Sequence, residues 1–181
     1  MTVLAAQSIT QLVLEHKLKI EPYIGMSKQT MGMSYGLSAA GYDLRVGKID
    51  RFLPSKQGPK TNAPSYLVRP GEFILLSSYE RVQLPDNLIA FVHDKSTLAR
   101  KGLALQNTVI EPGWGGFITL ELSNHSNEAY LIKVGQPIAQ LVFHQLDQPT
   151  EIPYTGKYQN QGSEPTPAIF VPDGLDLPPN D

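Results

Sequence analysis

Cysteine is absent from all 181 residues. That removes a disulfide framework, a thiol nucleophile and every cysteine-ligated zinc site. Charge is also sparse: 18% of residues are Asp, Glu, Lys or Arg, against about 25% in ordinary domains. The net charge of −2 supplies no electrostatic reason to expect a nucleic-acid partner. No run approaches the ~18 consecutive apolar residues of a membrane span, so no membrane association is expected. The amino terminus lacks the basic patch and apolar stretch of a signal peptide, which makes a cytoplasmic protein the expectation.

Fifteen Gly and fifteen Pro are abundant by contrast, while 41% of residues are hydrophobic, enough for a core. Many short elements joined by turns are therefore expected in one domain. Ser8 and Gln11 stand at capping-box spacing ahead of the stripe Ile9, Leu12, Val13 and Leu18, which predicts a short N-terminal helix ending at Ile20-Glu-Pro22. Gly25 to Ala40 has no period and reads as a loop. From Gly41 to His144 seven apolar runs follow: Tyr42–Val46, Phe73–Leu76, Leu88–Val92, Leu103–Leu105, Phe117–Leu122, Leu131–Val134 and Ile138–Phe143. Turn residues separate most of them, the pattern of an antiparallel sandwich or barrel. Arg51 to Ser65, with three prolines, reads as a long excursion, a place where function often resides. The Pro-rich, acidic segment Glu164 to Asp181 has no basic residue and suits neither ladder nor helix. It is either an extended tail, or a strip whose Ile169-Phe170-Val171 packs on the body or on a neighbouring subunit.

Four segments place polar groups where structure alone does not ask for them. Lys95-Ser-Thr-Leu-Ala-Arg100 offers two cations and two hydroxyls in six residues, with Ser96 and Arg100 on one face of a helical turn. It would suit a phosphorylated ligand, although a capped surface turn has the same composition. In Phe117–Ser123, alternation sets Ile118, Leu120 and Leu122 on one face and Thr119 and Glu121 on the other, so Glu121 is either a solvated outer residue or a pocket residue. The preceding turn, Glu111-Pro-Gly-Trp-Gly-Gly116, holds the only tryptophan, Trp114. Ala40-Gly-Tyr-Asp-Leu-Arg45 reads as a strand with Asp43 and Arg45 on a polar face, where a cross-strand salt bridge is the plain alternative. Tyr154 to Gly162 is polar and aromatic without period, a loop expected to order only around something it binds.

In this order and spacing the four segments resemble the dCTP deaminase branch of the dUTPase-like superfamily, over roughly Ile9 to Gln161. Two features set the chain apart from the dUTPase branch: Trp114 in the Pro-Gly turn, where dUTPases usually have tyrosine, and Glu121 ten residues after the acidic position 111. The tail also lacks the Gly-rich motif of trimeric dUTPases. The resemblance implies a mainly β fold, a distorted β-barrel or jelly-roll with a short N-terminal helix, spanning 1–163 with a tail at 164–181. It implies a homotrimer with sites at subunit interfaces, a deoxycytidine nucleotide as substrate, and Mg²⁺ held mainly through the triphosphate. Familiar cytidine deaminases use zinc within an H-x-E…P-C-x-x-C signature; this chain has neither part of it, so a deaminase here would raise its nucleophile without zinc.

Residue by residue, the resemblance implies that Glu121 is the catalytic proton shuttle, with Ser96 and Arg100 near its water. Lys95, Ser96, Thr97 and Arg100 match the segment that binds the nucleotide, and Glu111 the acidic residue at the deoxyribose 3′-hydroxyl. Thr119, Leu120 and Glu121 match the strand reading cytosine through its backbone, Gln140 a nucleotide-binding glutamine, and Tyr154, Lys157 and Gln161 residues that close over the triphosphate. Three departures stand out: Glu111 where Asp is usual, Lys95 where Arg is common, and Gln106-Asn107-Thr108 where many deaminases have Thr-Ala-His. The first weighs against a bifunctional enzyme that carries dUTP on to dUMP, and the third leaves dCMP or a 5-substituted cytosine nucleotide open as substrate. A dUTPase, or a nucleotide-responsive binding protein without turnover, are the other readings.

Overall fold

The computed structural model describes residues 2–50 and 63–170. β1 (Thr2–Val3) leads into α1 (Ala6–Leu14), then β2 (Lys19–Glu21), β3 (Lys28–Thr30), β4 (Met33–Ser38) and the long β5 (Gly41–Asp50). β6 (Ser65–Val68), β7 (Phe73–Gln83) and β8 (Leu88–Asp94) follow, then the one-turn α2 (Ser96–Ala99). β9 (Leu103–Leu105), β10 (Val109–Ile110), β11 (Gly115–Asn124), β12 (Tyr130–Lys133) and β13 (Pro137–Gln145) complete the chain. No described helix is long and apolar enough to cross a membrane.

Eleven strands join in one sheet along the path β10-β8-β13-β5-β7-β11-β9, with β1, β2, β3 and β4 attached at its sides, and β12 pairs with β6 separately. The path curls because β5 serves two halves. Its first part, Tyr42 to Arg45, pairs with β13 and β4, and its second, Val46 to Asp50, pairs with β7. Gly47 lies at this crossing, where an added Cβ would sit 2.4 Å from the Ser78 carbonyl oxygen. Only glycine lets the two backbones approach so closely. Inward residues at period two, such as Leu44, Leu76, Leu120 and Leu141, close the core.

Each predicted apolar run falls in a strand, with Val134 alone lying one residue past β12. The fold is the mainly β, distorted barrel expected. Three local expectations are corrected. Ser8 lies inside α1, whose N-cap is Ala5; alanine has no acceptor with which to cap it, and the Ala6 N–H donates to the Ala39 carbonyl (2.9 Å). The helix ends at Leu14 rather than near Pro22, with His16 in the left-handed region (φ 57°). Leu18 and Ile20 are buried beyond it, Ile20 as the inward residue of β2. Gly25 to Ala40 is no loop, since it holds the β3–β4 hairpin. Its two-residue turn is Met31-Gly32, both at positive φ. A methionine there is not the Asn-Gly or Asp-Gly signal by which such turns are read. Of the predicted excursion, residues 51–62 lie outside the described residues, and Ser65 opens β6.

Candidate active site

β11 runs between β7 and β9 and presents Thr119 and Glu121 on the face opposite Ile118, Leu120 and Leu122, as alternation requires. Glu121 sits across from Leu75 and Thr119 across from Ser77. Pairing with β7 shifts register between Phe117 and Thr119, and there the Ile118 N–H donates to Ser78 Oγ (2.8 Å). The outward face floors a cavity of about 450 Å³ that brings Glu121, Thr119, Glu111, Trp114, Tyr154 and Gln161 together. Apolar side chains, among them Phe73, Leu75 and Val109, form much of the wall.

That wall sets the chemistry of Glu121. Its Oε2 is buried and has no hydrogen-bond partner among the described residues. Burial pushes the carboxyl above its usual range, and a hydrogen bond from its own backbone offsets only part of this. Glu111, by contrast, is exposed at the rim, where it also borders a second cavity of about 420 Å³ with Ile89, Pro112, Leu146 and Ile152.

The Glu111–Gly116 turn fastens a strap formed by residues 154–168. Trp114 is buried and its Nε1–H donates to the Tyr158 carbonyl (2.8 Å). The Asn160 N–H donates to the Gly115 carbonyl (2.7 Å), and the Phe117 N–H to the Gln161 carbonyl (3.1 Å). Gly116, at φ 146°, makes room, because a Cβ there would lie 2.6 Å from the Gln161 nitrogen. Thr119 Oγ1 donates to Gln161 Oε1 and accepts from the Thr166 N–H, both at 3.0 Å. Beyond it, Pro165 is buried, and Glu164 pairs with Lys48. The segment from Tyr154 to Gly162 is therefore held by the 112–114 turn and by β11, correcting the expectation that only a ligand would order it. Of the apolar trio in the tail, Ile169 is tied by its N–H to Tyr158 Oη (3.0 Å), Phe170 is 87% exposed, and Val171 lies outside the described residues.

Thr119→Val keeps the shape and removes both hydroxyl bonds. At about 1 kcal/mol each, amide exchange over residues 159–168 is expected to quicken about ten- to thirtyfold. Hydrogen-exchange mass spectrometry reads this, and unchanged protection there would refute the hydroxyl's role.

The other sequence-predicted residues do not line this cavity. Ser96, Thr97 and Arg100 are exposed on α2, where the Arg100 N–H donates to the Ser96 carbonyl (3.1 Å), so Ser96 and Arg100 do share one helical face. Lys95 is half-buried, with Nζ 2.8 Å from Asp43 Oδ2 and donating to Ser34 Oγ (3.2 Å). Gln140 lies opposite both Asp43 and His93 and donates to Ser38 Oγ (3.0 Å). The Leu120 side chain belongs to the core. Lys157 is exposed and donates to the Ile169 carbonyl.

Sequence reasoning missed Phe73, Leu75, Tyr158 and Thr166 as cavity residues. Phe73-Ile-Leu-Leu76 carries a usable signal. Four apolar residues in a row must load both faces of a strand, so two of them necessarily line the face that bears Glu121.

Residues 3–146 match the family model described as dCTP deaminase-like. The dCTP deaminase of Thermococcus gammatolerans is 36% identical over 146 residues, covering 81% of this chain and 87% of its own. Among solved structures, the 2′-deoxycytidine 5′-triphosphate deaminase of Agrobacterium tumefaciens superposes with a TM-score of 0.60 at 20% identity. That match covers 78% of this chain and 47% of the other, so this chain spans about half the length of that one. The dUTPase of EIAV gives a TM-score of 0.50 at 20% identity over 77% of this chain and 98% of its own.

Proposed function

Because the chain belongs to the dCTP deaminase-like family, we propose that it hydrolyses dCTP to dUTP and ammonia, with Glu121 moving the protons. The observation that carries this reading is the half-buried Glu121, whose Oε2 is buried and without a hydrogen-bond partner among the described residues, in a largely apolar cavity of about 450 Å³. A solvated outer-face carboxylate would have neither property.

The chemistry balances on one group. The ionised carboxylate takes a proton from water as its oxygen attacks C4 of cytosine. The same proton passes to N3, giving a tetrahedral carbon that bears both hydroxyl and amine. A proton from the C4 hydroxyl then reaches the departing amine through Glu121, the C4–N4 bond breaks, and ammonia leaves as the C4 carbonyl forms. The carboxyl is used in both states, which is why burial toward a higher pKa suits it. General acid–base action supplies about 10²–10⁴-fold, so positioning and electrostatics carry the remainder.

In this reading Glu111 meets the deoxyribose 3′-hydroxyl, the β11 backbone from Thr119 to Glu121 reads the base, and Tyr154, Lys157 and Gln161 close over the phosphates. Gln140 contacts the nucleotide as well. Ser96, Thr97 and Arg100 stand outside the cavity of their own subunit, which supports their delivery by a second copy in a homotrimer. Among the described residues no three His, Asp or Glu side chains group closely enough to hold a metal ion. That donor set does not fit a protein-held metal; Mg²⁺ enters with the triphosphate it neutralises, and no step passes through it.

Incubation with dCTP and magnesium, with ammonia assayed and nucleotides separated by chromatography, tests the reading. The expected result is ammonia with an intact triphosphate, dUTP. Pyrophosphate with dUMP would instead indicate a coupled diphosphatase. Turnover restricted to dCMP or a 5-substituted cytosine nucleotide would move the substrate, and nucleotide binding without turnover would overturn the enzymatic reading.

A further inference from the structure

The Gln159 carboxamide has all of its hydrogen-bonding positions filled by backbone groups. Its Oε1 accepts the Gly115 N–H at 2.8 Å and the Asn160 N–H at 3.3 Å, and its Nε2 donates to the Gly113 carbonyl at 2.9 Å and the Tyr154 carbonyl at 3.0 Å. N–H groups at one end and carbonyls at the other fix the orientation of the amide. One side chain thus ties residues 113 and 115 of the turn to residues 154 and 160 of the strap. The turn is the fixed partner, because the Gly113 N–H donates to the Pro85 carbonyl (3.1 Å) and the Trp114 carbonyl accepts the Leu84 N–H (2.9 Å). The strap is folded on itself: the Tyr158 N–H donates to Tyr154 Oη (3.1 Å) and the Gln159 N–H to the Gly156 carbonyl (3.0 Å). Tyr154 and Tyr158 line the cavity that holds Glu121, whereas Gln159 lines neither of the two cavities described above.

We propose that Gln159 is a positioning residue that seats the strap on the Glu111–Gly116 turn, and so fixes where Tyr154, Lys157 and Gln161 stand relative to Glu121. A primary amide suits the task because it donates and accepts at once. Glutamate of the same length accepts but cannot donate, and would set a charge against the Gly113 and Tyr154 carbonyls; methionine fills the space and makes none of the bonds. Residues 154–160 hold no helix or strand of their own, so bonds of this kind are what order them. Without the amide, part of the binding energy of a nucleotide would go into ordering the strap, which weakens binding and leaves the proton transfers at Glu121 untouched. Only this consequence for turnover rests on the function proposed above; the seating itself is a property of the fold.

The test compares Gln159→Met and Gln159→Glu with wild type, each in the full chain. Hydrogen exchange of the Gly115, Tyr154, Tyr158 and Asn160 amides is the first readout, expected to quicken about thirtyfold in Gln159→Met and at least as much in Gln159→Glu. Fluorescence is the second. Trp114 is the only tryptophan, it is buried, and its Nε1–H donates to the strap at the Tyr158 carbonyl. An unseated strap should shift its emission to longer wavelength and open it to quenching by acrylamide. The third readout is steady-state kinetics with dCTP, where Gln159→Met is expected to raise KM about tenfold and to change kcat less than about twofold. Wild-type exchange and emission in Gln159→Met would overturn the seating. Wild-type behaviour in Gln159→Glu would overturn it too, since the donated bonds would then hold nothing. A fall in kcat with KM unchanged would also refute the proposal, by placing Gln159 with the reacting groups. A wild-type protein that did not turn over dCTP would bear on the function proposed above and leave exchange and fluorescence to settle the seating.

Discussion

Glu121→Gln is expected to lower ammonia release from dCTP by about 10²–10⁴-fold, the whole contribution of a general acid–base group, while the protein remains folded and keeps its nucleotide. Glutamine has the same shape and cannot exchange the proton. The wild-type rate should fall as pH drops through the raised pKa of Glu121, because the first step needs the ionised form. The residual activity of the variant should lack that limb. Stability should move the other way. A carboxyl whose folded pKa lies above its unfolded value contributes stability that is complete below the unfolded pKa and is lost as pH rises through the folded one. At neutral pH the buried charge is therefore a burden that glutamine lifts. Urea denaturation should show a higher midpoint for the variant near pH 7, and the gain should vanish below about pH 4, the unfolded range of glutamate. Undiminished turnover in the variant would end the proposed mechanism, whatever its stability.

Arg45→Met should cost about 3–5 kcal/mol of folding stability, the usual penalty for leaving a buried charge without its partner. Glu80 is fully buried. Its Oε1 takes Arg45 Nε–H at 2.7 Å and its Oε2 the Arg45 backbone N–H at 2.9 Å. The guanidinium is further held between the rings of Tyr35 and Tyr79, with its carbon 4.7 and 4.4 Å from their centroids. Burial raises the Glu80 pKa even with arginine present, and both hydrogen bonds and the positive charge oppose that rise. Without the cation the rise goes further, so the penalty should be largest at neutral pH and shrink as pH falls and Glu80 takes a proton. Arg45→Met combined with Glu80→Gln should recover most of the loss, since no charge is then left stranded. Chemical denaturation at pH 7 and pH 5 checks all three statements. Equal destabilisation in the single and the double variant would mean that the pair is not what holds β5 to β7.

Arg45 also illustrates what a linear reading misses. Its strand and its polar side were legible, because Tyr42-Asp-Leu-Arg45 alternates, and the cross-strand salt bridge weighed there is formed, between Arg45 and Glu80 of the paired strand β7. What could not be read was the identity of that partner, or that Asp43, two residues away, sends its side chain to Lys95 on another stretch of chain. Long-range pairing of this kind leaves no spacing in the sequence. The same holds for Thr119, whose position on the Glu121 face was legible and whose hydroxyl serves a strap some forty residues later. The β3–β4 hairpin was missed for a local reason, the use of methionine at positive φ.

By itself the sequence determined the class of the fold, through apolar runs of strand length cut by Pro and Gly, and the face of β11 that carries Glu121, while the candidate chemistry of that carboxylate was what the family resemblance implied. Periodicity and composition survive in one dimension, so those features could be read. Only the tertiary structure decided that Glu121 faces a walled cavity, because the walls come from β7, from the 108–114 segment and from the returning strap. Depth of burial, and with it the direction of a carboxyl's pKa, is a property of what folds back over a residue.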